Sequence, residues 1–158
     1  MNSSINSIFF DCKKEIDFLY AEINKLSNAG HNPSHLIDIS IIYSSGALER
    51  IFKNIILEHL SKGCNNSSKT FLSKYFERGF NPKFNRIAQT VDCFDHNIAK
   101  ALRSEYPKNS KHKSNLDSLI SNRNAIAHGG SKSITISDVR SYFSSGIIIA
   151  RFLFNQLK

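Results

Sequence analysis

The stretch Leu119-Ile120-Ser121-Asn122-Arg123-Asn124-Ala125-Ile126-Ala127-His128-Gly129-Gly130 carries a helix to its end. With Leu116, the residues Leu119, Ile120 and Ala127 recur at three- and four-residue steps, the spacing of one helical face. The paired glycines stop it, because glycine takes the left-handed conformation that closes helices. Arg123 falls in the middle of the apolar face. A guanidinium there needs compensation, from an internal carboxylate, a water-filled cleft or a bound anion. Glu49, on the flank of the second helix, is the best internal candidate. His128 lies five residues on, about 140° around an ideal helix, so it shares no strict face with Arg123. Asn124 and His128, four apart, do share one.

Outward from that helix the chain reads as helix throughout. Residues 4–28 place Ile5, Ile8, Phe9, Cys12, Ile16, Leu19, Ile23 and Leu26 on one stripe. Asn32 and Pro33 suit the start of a second helix over 33–62, with Ile37, Ile41, Ser44, Leu48, Ile51, Ile55 and His59 in register. The β-branched run Ile39–Ile42 also fits a strand, but the length of the periodic segment favours a helix. Gly63–Ser68 is rich in turn residues. Further helices are predicted over 70–78, 83–105 and 114–128. Ser137 is expected to cap a last one, with Asp138 complementing its positive end. That last helix is apolar on nearly every side, which predicts burial on both, one side as core and the other as a subunit interface. The predicted fold is all-α, an antiparallel up-and-down bundle of four to six helices in a single domain, 1–158.

Composition bounds the function. An apolar content of 41% supports a packed core. A formal charge of +8 points to a polyanion partner, nucleic acid ahead of an anionic membrane face. Cys12, Cys64 and Cys93 form no ligand-spaced pair, so zinc is not expected, and no Asp/Glu cluster suggests a two-metal site; a reducing cytoplasm suits the cysteines. The N-terminus lacks the pattern of a secretory signal, and Gly146–Ala150 is far too short to span a bilayer.

Arg123 and His128 are where the chemistry concentrates. Arginine can grip a phosphate with two parallel hydrogen bonds, and histidine can move a proton near neutral pH. Plainer readings stand beside this one: Arg123 paired with Glu49, and His128 as a partner of the helix C-terminus.

The core Arg123-Asn124-Ala125-Ile126-Ala127-His128-Gly129 resembles the signature of the HEPN superfamily (higher eukaryotes and prokaryotes nucleotide-binding domains), closest to its RiboL-PSP type. The resemblance implies a helical homodimer whose motif helices meet in an interface cleft. It also implies a metal-independent endoribonuclease acting as a toxin or anti-phage defence effector, with RNA as substrate and an antitoxin or defence protein as a further partner. Arg123 and His128 would then be the catalytic pair, supported by Asn124 and by Glu49 on the second helix. No cofactor is implied. The alternative is a catalytically silent HEPN module that binds RNA, nucleotide or a partner protein.

Overall fold

A computed structural model describes residues 3–77, 79–130 and 134–158. The helical periodicities become seven helices among these residues: α1 Ser3–Asn28, α2 Ser34–Leu60, α3 Asn66–Glu77, α4 Phe84–Asp92, α5 His96–Glu105, α6 Lys111–Ala127 and α7 Ile136–Gln156. The all-helical expectation holds, with one helix more than the predicted range. The expected end of the third helix at Arg78 lies outside the described residues.

The extra helix comes from a break inside the stretch predicted as one helix over 83–105. Asp95 is extended, at φ −149° and ψ 99°, and its carboxylate accepts a hydrogen bond from the Ile98 amide. It therefore caps α5, and an N-cap cannot sit mid-helix because its backbone has left the helical region. Asp92 stitches the break from the other side. Its carboxylate accepts from Arg103 Nη2 and contacts His96 Nδ1, each at 2.8 Å. These contacts, that with Arg103 foremost, hold Asp92 below the usual carboxylate range.

α6 begins at Lys111, three residues before the expected Ser114, and two other boundaries moved for the same kind of reason as the break. Asn65 Oδ1 accepts from the Ser68 amide, so α3 starts four residues before the expected Thr70. Thr135, rather than Ser137, caps α7. Its hydroxyl accepts from the Asp138 amide while Asp138 accepts from the Thr135 amide, a reciprocal capping box. Asp138 thus keeps its expected place at the positive end of the helix.

Helices α2 and α7 form the centre. The first packs against α1, α3, α6 and α7, and the second against α1, α2, α5 and α6. Leu48, Ile51, Phe52, Ile55 and Ile56 of α2 meet Val139, Phe143, Ile149, Ala150 and Leu153 of α7 within one apolar cluster. They approach closely because residue 146 is glycine. A Cβ there would lie 2.4 Å from Leu48 Cδ1. The buried hydroxyls are satisfied locally: Ser40 and Ser44 donate to the carbonyls four residues back, and Ser145 accepts from Asn115 Nδ2 at 2.9 Å. His59, on the apolar stripe of α2, finds its partner in the Leu157 carbonyl, at 2.8 Å from Nδ1.

The apolar circumference of α7 is used inside the chain. Ile147, Ile149 and Leu153 are buried, and Ile148 is the one large apolar residue of α7 left exposed. Neighbours on several sides cover most of α7, leaving Ile148 exposed and Tyr142, Phe152 and Phe154 half-buried. A larger exposed apolar stripe lies on α2, where Ile39 and Ile42 are each 50% exposed and Tyr43 is 38% exposed. No helix among the described residues is long and apolar enough to cross a membrane.

Candidate functional site

Helix α6 positions the motif. Leu116, Leu119 and Ile120 are buried and anchor it on the core. Its end is a Schellman turn: the Gly130 amide donates to the Ala125 carbonyl at 2.8 Å and the Gly129 amide to Ile126 at 3.0 Å. The turn needs a left-handed residue, and Gly129 supplies it at φ 73°. Gly130 is also constrained, since a Cβ there would come within 3.2 Å of the Ala125 carbonyl oxygen. His128 is the C-cap, with φ −102° and ψ 17°, and its side chain stands exposed at the helix end.

Arg123 differs from expectation. It sits at the angular centre of the apolar stripe, yet it is exposed. At its level α6 borders an open cleft of about 320 Å³, lined by Ser45, Glu49, Phe80, Pro82, Ile120 and Arg123 among others. The arginine stem lies along the cleft edge while its charged head stays in water, as long cationic side chains do. Of the three compensations open to it, the cleft is the one present. Nη1 also donates to Asn124 Oδ1 at 3.2 Å, so Asn124 braces the guanidinium from the adjacent position.

The Arg123–Glu49 ion pair of the plainer reading does not form among the described residues. Glu49 lines the same cleft, but its Oε1 accepts from the Phe80 amide at 2.9 Å and pairs with Lys53 Nζ at 3.3 Å. Its carboxylate therefore pins the segment after α3 to α2 and is balanced by its own helix neighbour. The guanidinium is left without that neutralising charge.

Arg123 and Glu49 thus share a cleft, whereas His128 is outside its lining. The angular separation along α6 and the Schellman turn keep the imidazole on another side of the helix end. One chain does not gather all four residues singled out from the sequence. Sequence reasoning missed Asn122, which is buried at 6% exposure on α6 with Nδ2 donating to the Ser118 carbonyl. An asparagine beside Ser118 and Ser121 reads as surface, and only the packing of α6 on its neighbours buries it. Among the described residues no group of three His, Cys, Asp or Glu side chains is placed to hold a metal ion.

Across residues 7–158 the sequence matches the family RiboL-PSP-HEPN. It matches no curated protein and no solved structure. The match spans all seven helices, from within α1 to the chain end, and the all-helical architecture agrees with it. The chain belongs to the RiboL-PSP-HEPN family.

Proposed function

We propose that this protein is a metal-independent endoribonuclease whose site is completed by a second copy of the chain. The observation that carries the reading is the state of Arg123: a guanidinium at an open cleft, braced by Asn124, with Glu49 engaged elsewhere. Such a group is poised for a phosphodiester, which accepts its two parallel N–H bonds. RNA brings its own nucleophile, the 2′-hydroxyl beside the scissile phosphate. What the protein must add is proton transfer and charge stabilisation. His128 takes the proton of the 2′-hydroxyl or delivers one to the leaving 5′-oxygen, a contribution of roughly 10²–10⁴-fold. Arg123 holds the non-bridging oxygens as negative charge builds on them. The products are a 2′,3′-cyclic phosphate and a 5′-hydroxyl end.

Two observations support the dimer. Arg123 and His128 face different sides of α6 in one chain, so a cleft containing both draws on two chains. A covering surface is present, because Ile39, Ile42, Tyr43, Gly46 and Glu49 follow one another on one face of α2 at helical steps. That stripe starts as exposed apolar side chains and ends at the Arg123 cleft. A second copy seated on it would bring its own α6 end to the cleft.

The separation of Arg123 and His128 also keeps a second reading in view, a silent module that binds RNA without cutting it. Cleavage of RNA in EDTA by the purified protein, lost in Arg123→Ala, supports the enzyme. Tight RNA binding with no cleaved ends supports the silent module. In the biological role proposed here, as a toxin or anti-phage effector restrained by a partner protein, expression of the wild type arrests growth and His128→Ala does not.

A further inference from the structure

The side of α6 turned away from Arg123 carries a second cleft, of about 700 Å³, open to solvent. Ser114, Ser118 and Ser121 line it at steps of four and three residues. The same steps continue to Ala125 and then His128, so the cleft and the imidazole lie along one face of α6. From Ser114 to His128 that face is about 21 Å long, at roughly 1.5 Å per residue. Lys108 and Lys113 stand at the far end. Lys113 Nζ lies 4.9 Å from the centre of the Phe84 ring, a contact that steadies the ammonium without neutralising it.

The cleft holds one carboxylate, Asp117, whose Oδ1 accepts from the Phe84 amide at 2.8 Å and so anchors the start of α4. Two lysines against one engaged carboxylate leave the cleft cationic. Asn122 also lines it, and Asn122 Oδ1 is buried with no hydrogen-bond partner among the described residues. The cleft therefore offers cations and hydroxyls, with the Asn122 side chain in its wall. A ribose-phosphate strand matches both, with phosphates for the lysines and 2′-hydroxyls, the group that distinguishes RNA from DNA, for the serines.

We infer that this face of α6 is a guide track for single-stranded RNA, with Lys108 and Lys113 holding backbone phosphates of the strand whose scissile bond lies at His128. The track rests on the ribonuclease reading for its direction, though not for its affinity. Each lysine–phosphate contact on a single strand contributes about 0.7 to the slope of log affinity against log salt.

The test is fluorescence-anisotropy titration of a labelled uridine 12-mer against the full chain from 50 to 300 mM salt. The proteins compared are the wild type, the double variant Lys108→Ala/Lys113→Ala and His128→Ala. The double variant is expected to bind about tenfold or more weakly at 0.1 M salt, with the slope reduced by about 1.4. His128→Ala is expected to keep the wild-type slope. Wild-type affinity and slope in the double variant would overturn the track. So would competition by polyglutamate as strong as by unlabelled RNA, which would make the cleft a site for acidic protein. A slope that depends on the lysines in a protein that cuts no RNA leaves the track standing and removes the ribonuclease reading. Cleavage that needs Arg123 with a lysine-independent slope does the reverse.

Discussion

Arg123 shows how far angular position alone carries an argument. The sequence puts it on the apolar stripe of α6, where a guanidinium needs an internal carboxylate such as Glu49, a water-filled cleft or a bound anion. The structure leaves the stripe open at that level, so the charge faces water and Glu49 turns to Lys53 and the Phe80 amide. The position along the chain was legible in the sequence. The cleft was not, because residues distant in sequence, Ser45 and Phe80 to Pro82, build it. Arg123→Lys tests what the guanidinium does there. A lysine keeps the charge but loses the planar fork, so cleavage should fall by about 10²-fold or more with the melting temperature unchanged. Wild-type rates in that variant would reduce Arg123 to a general electrostatic role. The cysteines offer a separate check on packing at this scale. Burial pushes the Cys12 thiol up to about 12, with nearby Arg50 lowering it and Glu15 raising it by smaller amounts. Cys12 should then resist thiol reagents at pH 8 while exposed Cys93 reacts, and Cys12 should react only on unfolding. Equal rates for the two in the folded protein would contradict the buried placement.

The elements were legible where periodicity ran long and uninterrupted. α1 and α2 each lie within two residues of their expected ends, and the β-branched run in α2 is helical, as the length of its stripe implied. The misreadings cluster at caps. Phe84, Ile87, Val91, Ile98 and Leu102 keep helical spacing across a break, and the break is visible only in Asp95 acting as an N-cap. Thr135 displaced Ser137 because it forms both halves of the capping box. Apolar spacing is blind to these, since a cap is set by one polar side chain meeting one amide. The α6 terminus is the element on which the site most depends. Gly129→Ala forces an L-residue into the left-handed region, at a cost of roughly 1–2 kcal/mol. It should lower stability by about that amount in a denaturant titration and move His128 enough to reduce cleavage. A variant of unchanged stability would show that the Schellman turn is not what fixes His128.

At the scale of the whole molecule, the sequence made α7 the two-sided helix, whereas its neighbours cover most of it and an uncovered apolar stripe on α2 lies beside the Arg123 cleft. Periodicity counts how much apolar surface a helix has and says nothing about which neighbour covers it. If a second copy covers the α2 stripe, Ile42→Asp should give a monomer by sedimentation at micromolar concentration. It should also abolish cleavage and leave the thermal transition of the monomer cooperative, because residue 42 already faces solvent in one chain. A dimer of wild-type affinity in that variant would move the interface elsewhere. The ribonuclease claim itself is most directly tested by incubating the wild type and His128→Ala with RNA in EDTA and identifying the new ends. The account predicts 2′,3′-cyclic phosphate and 5′-hydroxyl ends from the wild type and none from His128→Ala. Intact RNA with the wild type, or equal cutting by both proteins, would contradict it.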